Sequence, residues 1–136
     1  MTLDRHRKTH PRTFIAAAAC AAVLSLPAAT ARAATVASGF LWSENAERMV
    51  CFVWNVSNAP LKVLSTEIVD DAGNAVTSYD NCVAQPVQPG KRCGFLAYDV
   101  TQAGGRVTIE GPRGRVRGTC QLLAPGSIGI TTSDLR

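Results

Sequence analysis

Apolar residues fall along this chain in two regimes. Residues 14–26 form a continuous apolar stretch without a charge. Beyond Ala34, apolar residues alternate with polar ones or come in short β-branched runs, punctuated by Gly, Pro, Asn and Asp, with no convincing amphipathic helix. The second regime predicts strands. The first spans 35–43. The strongest spans 48–56, with Val50, Phe52, Trp54 and Val56 on one face and Met49, Cys51 and Val53 on the other. A strand apolar on both faces belongs inside a sheet. After a turn at 55–60, strands follow at 61–69, at 75–79 (short), and at 92–100. Gly104 and Gly105 precede a strand at 106–110, a hairpin turn at 111–114 leads into 115–123, and a last strand covers roughly 127–132. Asp70 to Asn74 and Gln88 to Lys91 read as tight turns, where Gly and Asn accept positive φ. Seven or eight strands with this turn spacing predict an all-β antiparallel sandwich of the immunoglobulin-like kind.

The first regime reads as an export signal. Residues 1–13 are basic, with Arg5, Arg7, Lys8 and Arg12 against Asp4. The apolar stretch is shorter than the roughly 20 residues that cross a bilayer as a helix. Pro27 breaks it, and small residues lead to Ala31-Arg32-Ala33. These are the three regions of a secretory signal peptide, 1–33, with cleavage after Ala33 or one residue later. A lipoprotein signal on Cys20 fits less well, because the apolar run would continue past the modified cysteine. No arginine pair precedes the apolar run, which favours the general secretion route. Residues 34–136, without repeat or linker, read as one domain. It has no integral membrane segment once the signal is cleaved.

Removing the leader changes the charge. The full chain carries +4. Arg5, Arg7, Lys8, Arg12 and Arg32 leave with Asp4, so nine basic and nine acidic residues remain. The mature domain is formally neutral, and its charge gives no reason to expect nucleic acid as a partner. Both histidines, His6 and His10, also leave. No imidazole base remains for a Ser-His-Asp or Cys-His system, nor an imidazole for a zinc or copper site. No metal and no cofactor is expected.

Four cysteines stay: Cys51, Cys82, Cys93 and Cys120. An even count in a small exported domain implies a disulfide framework with three possible connectivities. No Cys-x-x-Cys is present to suggest redox work. The stretch from Cys82 through Val87 and Pro89-Gly90 to Cys93 resembles a motif of bacterial immunoglobulin-like domains. There, a Cys, an apolar residue and a Pro-Gly turn precede a second Cys that opens the next strand. Tyr98-Asp99-Val100 stands where such domains often carry Phe-x-Pro. More broadly, the chain resembles small exported bacterial β-sandwich proteins of unassigned function. The shared layout is a strand from Cys51 to Asn55, a turn from Asp70 to Gly73, and a late strand with Val116 to Gly118. The resemblance implies Cys82–Cys93 as a short bridge, with Cys51–Cys120 joining a central strand to a late one. It transfers no active site, and an alanine-rich leader points the same way, to a bacterial source.

Candidate chemistry is sparse. Paired carboxylates would support glycoside hydrolysis, but the acids fall at predicted turns and strand ends. Catalysis is therefore not expected. The Asp70 turn lacks the spaced ligands of a calcium loop. Arg113, Arg115 and Arg117 stand above background. Arg115 and Arg117 are predicted on one strand face with Arg113 in the adjoining turn and Arg106 near, a tentative anion-binding face. An exposed strand kept soluble by charge is the plainer reading. Trp42, Trp54, Tyr79 and Tyr98 are candidates for stacking on sugars, with Trp54 expected in the core. Asn55-Val56-Ser57 matches a glycosylation sequon.

The leading expectation is a non-enzymatic extracytoplasmic module, secreted or periplasmic, that contacts a protein partner through an exposed apolar patch or open edge strand. The alternative is a binder of anionic envelope polysaccharide or lipid head groups, which requires the three arginines to converge without carboxylate partners.

Overall fold

The computed structural model describes residues 32–126 and 128–136; the signal-peptide reading falls, apart from Arg32 and Ala33, outside them. Among the described residues, nine strands run in chain order: β1 (Ala33–Ala37), β2 (Leu41–Trp42), β3 (Arg48–Asn55), β4 (Val63–Asp70), β5 (Tyr79–Asp80), β6 (Arg92–Tyr98), β7 (Gln102–Glu110), β8 (Val116–Ala124) and β9 (Ile128–Leu135). All pairings are antiparallel. They make a five-stranded sheet in the order β5-β6-β3-β8-β9, and a four-stranded sheet in which β7 pairs with β1 and β2 on one side and β4 on the other. The fold is all-β with two antiparallel sheets packed on one core.

The core follows the two-residue period of the strands. On β3, Met49, Cys51, Val53 and Asn55 are buried, while Val50, Phe52 and Trp54 are half-buried on the opposite side. Phe95 and Ala97 of β6 and Cys120 and Leu122 of β8 complete that inner face, against Ile68 of β4 and Ala103, Val107 and Ile109 of β7. Each large apolar side chain buried this way contributes about 1.5–3 kcal/mol. β3 lies inside its sheet, between β6 and β8.

Where the strands depart from the sequence pattern, local chemistry explains it. The predicted strand 35–43 breaks into β1 and β2. At the break the Ser38 hydroxyl accepts the Gly105 N–H at 2.8 Å and the Ser133 hydroxyl accepts that of Gly39 at 3.0 Å. Gly104 and Gly105, predicted to lie before a strand, sit within β7. Gly105 faces the Cys51–Cys120 disulfide, and a Cβ there would stand 2.6 Å from the Cys51 Sγ. The predicted strand 75–79 reduces to one bridge, Ala75 to Val69, plus Tyr79 and Asp80 in β5. The connection at 111–114 is not a hairpin: it carries the chain from the four-stranded sheet to the five-stranded one.

The disulfides join Cys51 to Cys120, and Cys82 to Cys93. Cys51 and Cys120 are direct neighbours across β3 and β8, so the bridge staples two strands of one sheet.

Asn55 organises one end of the sandwich. Only 1 % of it is exposed. Its Nδ2 donates to the carbonyls of Ala59 and Val87, both at 2.8 Å, and its Oδ1 accepts from the backbone N–H and hydroxyl of Ser57. One side chain thus fixes the loops at 56–60 and 87–91. The sequon asparagine is therefore closed to modification in the folded domain.

Candidate functional site

The outer faces of the two sheets differ in kind. On the four-stranded sheet the outward residues satisfy one another. The Thr35 and Thr108 hydroxyls bond across β1 and β7 at 3.1 Å, and Arg106 donates from Nε and Nη2 to Glu67 on β4. Exposed apolar side chains on or beside that sheet include Phe40, which lies over Gly104, Trp42 of β2 and Leu64 of β4.

The outer face of the five-stranded sheet gathers apolar and aromatic residues among the arginines Arg48, Arg92 and Arg117. Strand register places Tyr79, Leu96, Val50 and Gln121 in one row, Gly94, Phe52 and Thr119 in the next, and Arg92, Trp54 and Arg117 in a third. Directly opposed residues share a face. Tyr79 and Tyr98 are 55 % and 49 % exposed at its margin. The absent side chain of Gly94 leaves room for Phe52, whose Cδ1 would be 3.3 Å from a Cβ there. Phe52 and Trp54 lie 6.0 Å apart, ring centre to ring centre, in a tilted arrangement. The Arg92 guanidinium lies 4.9 Å from the Phe52 ring centre and 5.9 Å from that of Trp54. Such contacts hold the cation by its face.

Two open clefts, each of about 530 Å³, flank this face. The first is lined by Trp54, Arg113, Arg117, Asp134 and Arg136. The second is floored by Val50, Phe52, Leu96 and Leu123 and edged by Tyr79 and Arg92.

The arginines predicted to act together are separated. Arg115 belongs to a 3₁₀ turn, Arg113–Arg115, one residue before β8 begins, so it shares no strand face with Arg117. Its guanidinium is spent on main-chain carbonyls: Nη2 donates to Pro60 at 2.8 Å, and further bonds of 3.4 Å reach Ala59 and Glu110. Its backbone carbonyl accepts the Val56 N–H at 2.9 Å. Arg115 is a clamp on the 56–60 loop. Arg106 points from the other sheet and is paired with Glu67. Arg113 and Arg117 do line one cleft, in the company of Trp54. Trp54, expected in the core, stands outside it. The Cys51–Cys120 bridge faces Gly105 of the other sheet, so the odd-numbered residues of β3 point inward and Trp54 outward. Arg92 went unnoticed in the sequence; its signal is register, since it faces Trp54 only once β3 and β6 are aligned.

The acids occupy structural posts. Asp80 accepts from the Thr66 hydroxyl and from the Cys82 N–H at 2.6 Å, tying β5 to the opposite sheet. Asp70 accepts the Asn74 backbone N–H at 2.7 Å and its side-chain amide at 3.2 Å; these bonds lower its pKa below the ordinary aspartate value. Asp134 and Glu44 line different clefts. Among the described residues no group of three or more His, Cys, Asp or Glu side chains is placed to hold a metal ion, and no helix is long and apolar enough to cross a membrane. No protein-family model, curated protein or solved structure matches this chain.

Proposed function

We propose that this chain is an exported, non-catalytic β-sandwich module, immunoglobulin-like in layout, that docks a protein partner on the outer face of its five-stranded sheet. One observation carries the reading: Val50, Phe52, Trp54, Leu96 and Leu123 gather on one outer face across the central strands, with Arg92 set over the Phe52 and Trp54 rings. Interfaces are enriched in Tyr, Trp, Phe and Arg, which are the residues gathered here. Two disulfides suit folding in an oxidising, extracytoplasmic compartment, secreted or periplasmic. The layout departs from antibody domains in one respect. Their conserved bridge spans the two sheets, whereas Cys51–Cys120 lies within one.

The test places a photo-activatable phenylalanine analogue at Leu96 or at Thr108 in the protein made in its own cells. The reading expects adducts of defined mass from Leu96 and none of the same mass from Thr108. Identical adducts from both positions, or none from Leu96, would overturn it.

A second reading, binding of anionic glycan or lipid head groups through Arg113, Arg115 and Arg117, loses Arg115 to the loop clamp. Arg113 and Arg117 remain available to it.

A further inference from the structure

The docking face changes along its strands. At one end Val50, Leu96 and Leu123 floor a cleft that Arg48, Tyr79 and Gln121 also line. At the other it ends in the row Arg92, Trp54, Arg117, three neighbours on β6, β3 and β8. With strands about 4.8 Å apart, the two arginines flank the indole at roughly 10 Å from one another. Arg92 edges the second cleft, while Arg113 lines the first beside Trp54 and Arg117. The acid lining that cleft is Asp134, which lies 3.7 Å from Arg136. No carboxylate among the described residues pairs with Arg92 or Arg117. Arg117 donates one bond, to the Val116 carbonyl at 2.9 Å.

We infer that the row Arg92–Trp54–Arg117 is a carboxylate-recognition site, and that the segment of the partner protein seated on this face carries acidic side chains beside an apolar stretch. The inference rests on the docking reading above and adds the partner's chemistry. Three physical arguments support it. A guanidinium held over aromatic rings keeps its in-plane N–H donors for an oxyanion, and its orientation is fixed before binding, so little freedom is lost. Two cations astride a tryptophan, neither paired with a carboxylate among the described residues, focus positive potential there in a formally neutral domain. Beside that row, Val50, Phe52, Leu96 and Leu123 give an apolar floor that suits the apolar side chains of a protein segment whose acids reach the arginines.

The experiment uses the purified protein with Trp42→Phe, so that emission reports Trp54 alone. Hexaglutamate is titrated, with hexagalacturonate and hexalysine in parallel. The site predicts a saturable change with hexaglutamate, none with hexalysine, and weakening as salt rises. Arg92→Gln or Arg117→Gln should each weaken hexaglutamate about tenfold, the scale of one lost charge-assisted bond. Arg106→Gln, on the opposite face, should leave it unchanged. No saturable change, or an equal response in the Arg92→Gln and Arg117→Gln variants, overturns the site. Tighter binding of hexagalacturonate than of hexaglutamate overturns the protein partner in favour of an acidic glycan. The two proposals fail separately. Adducts from Leu96 that persist unweakened in an Arg92→Gln, Arg117→Gln double variant sink the carboxylate site and keep the docking face. Hexaglutamate binding without adducts from Leu96 does the reverse.

Discussion

Gly105 of β7 and Cys51 of β3 meet across the sandwich so closely that a Cβ on Gly105 would stand 2.6 Å from the cysteine sulfur. The glycine is there because a disulfide occupies the space that a side chain would fill. Gly105→Ala should therefore destabilise the domain by about 2 kcal/mol, in the range for overpacking a filled core. Denaturant melts of Gly105→Ala in the native and the Cys51→Ala, Cys120→Ala backgrounds check this. The penalty should shrink markedly once the sulfurs are gone. An equal penalty in both would mean that the backbone, not the bridge, demands glycine.

Asn55 and Arg115 hold the same loop from two sides, one buried and one at the surface. Removing the Asn55 amide takes one donor each from the Ala59 and Val87 carbonyls and leaves the Ser57 N–H without its acceptor, and such losses in a buried site cost about 1–3 kcal/mol. Asn55→Ala should lower stability by about 3 kcal/mol. Arg115→Ala should cost less but speed hydrogen exchange at the Val56 and Ser57 amides. Arg115→Lys should not restore slow exchange, because an ammonium cannot reach several carbonyls in the planar fork of a guanidinium.

Asp70 gives the fold a pH dependence of known sign. Its carboxylate is favoured by hydrogen bonds from Asn74, backbone first and side chain second, so its folded pKa lies below the ordinary value. A depressed folded pKa means that the contribution is complete above the unfolded value and is lost as pH falls through the folded one. In a carbon-detected NMR titration, Asp70 should titrate below a free aspartate side chain, and the Asn74 amide shift should follow it. Asp70→Asn should remove that transition. An Asn74 amide indifferent to acid would contradict the turn geometry.

The two disulfides should differ in weight. Closing a loop with a sequence separation of 11 restrains the unfolded chain less than closing one of 69. Chain entropy gives about 3 kcal/mol for the first and about 4 kcal/mol for the second. Cys82→Ala, Cys93→Ala should leave a domain that folds with a lowered midpoint. Cys51→Ala, Cys120→Ala should lower it further, since those residues also fill the centre of the core.

The all-β class and the interior place of β3 were legible because both follow from local alternation. What local pattern could not decide was which side of β3 faces in. Val50, Phe52 and Trp54 are as apolar as Met49, Cys51 and Val53, so the pattern is symmetric and the larger side chains seemed to belong inside. The choice is made at a distance, where Gly105 of β7 leaves room in the other sheet for the Cys51–Cys120 bridge. The arginines failed for a related reason. A strand beginning one residue later than predicted moves Arg115 into a turn, and a crossing between sheets takes Arg106 from its expected neighbours. Arg92 and Arg117 come to flank Trp54 through register alone, which spacing along the chain does not carry.

The arrangement of the disulfides has a consequence for survival among proteases. Cys82–Cys93 lies inside the covalent ring closed by Cys51–Cys120, so the bonds are nested. A single cut anywhere between residues 52 and 119 leaves the molecule in one piece, with both ends of the wound held by a sheet. A cut between 83 and 92 is spanned twice. Such a molecule absorbs nicks without shedding fragments, and the damage becomes visible only when the cysteines are reduced.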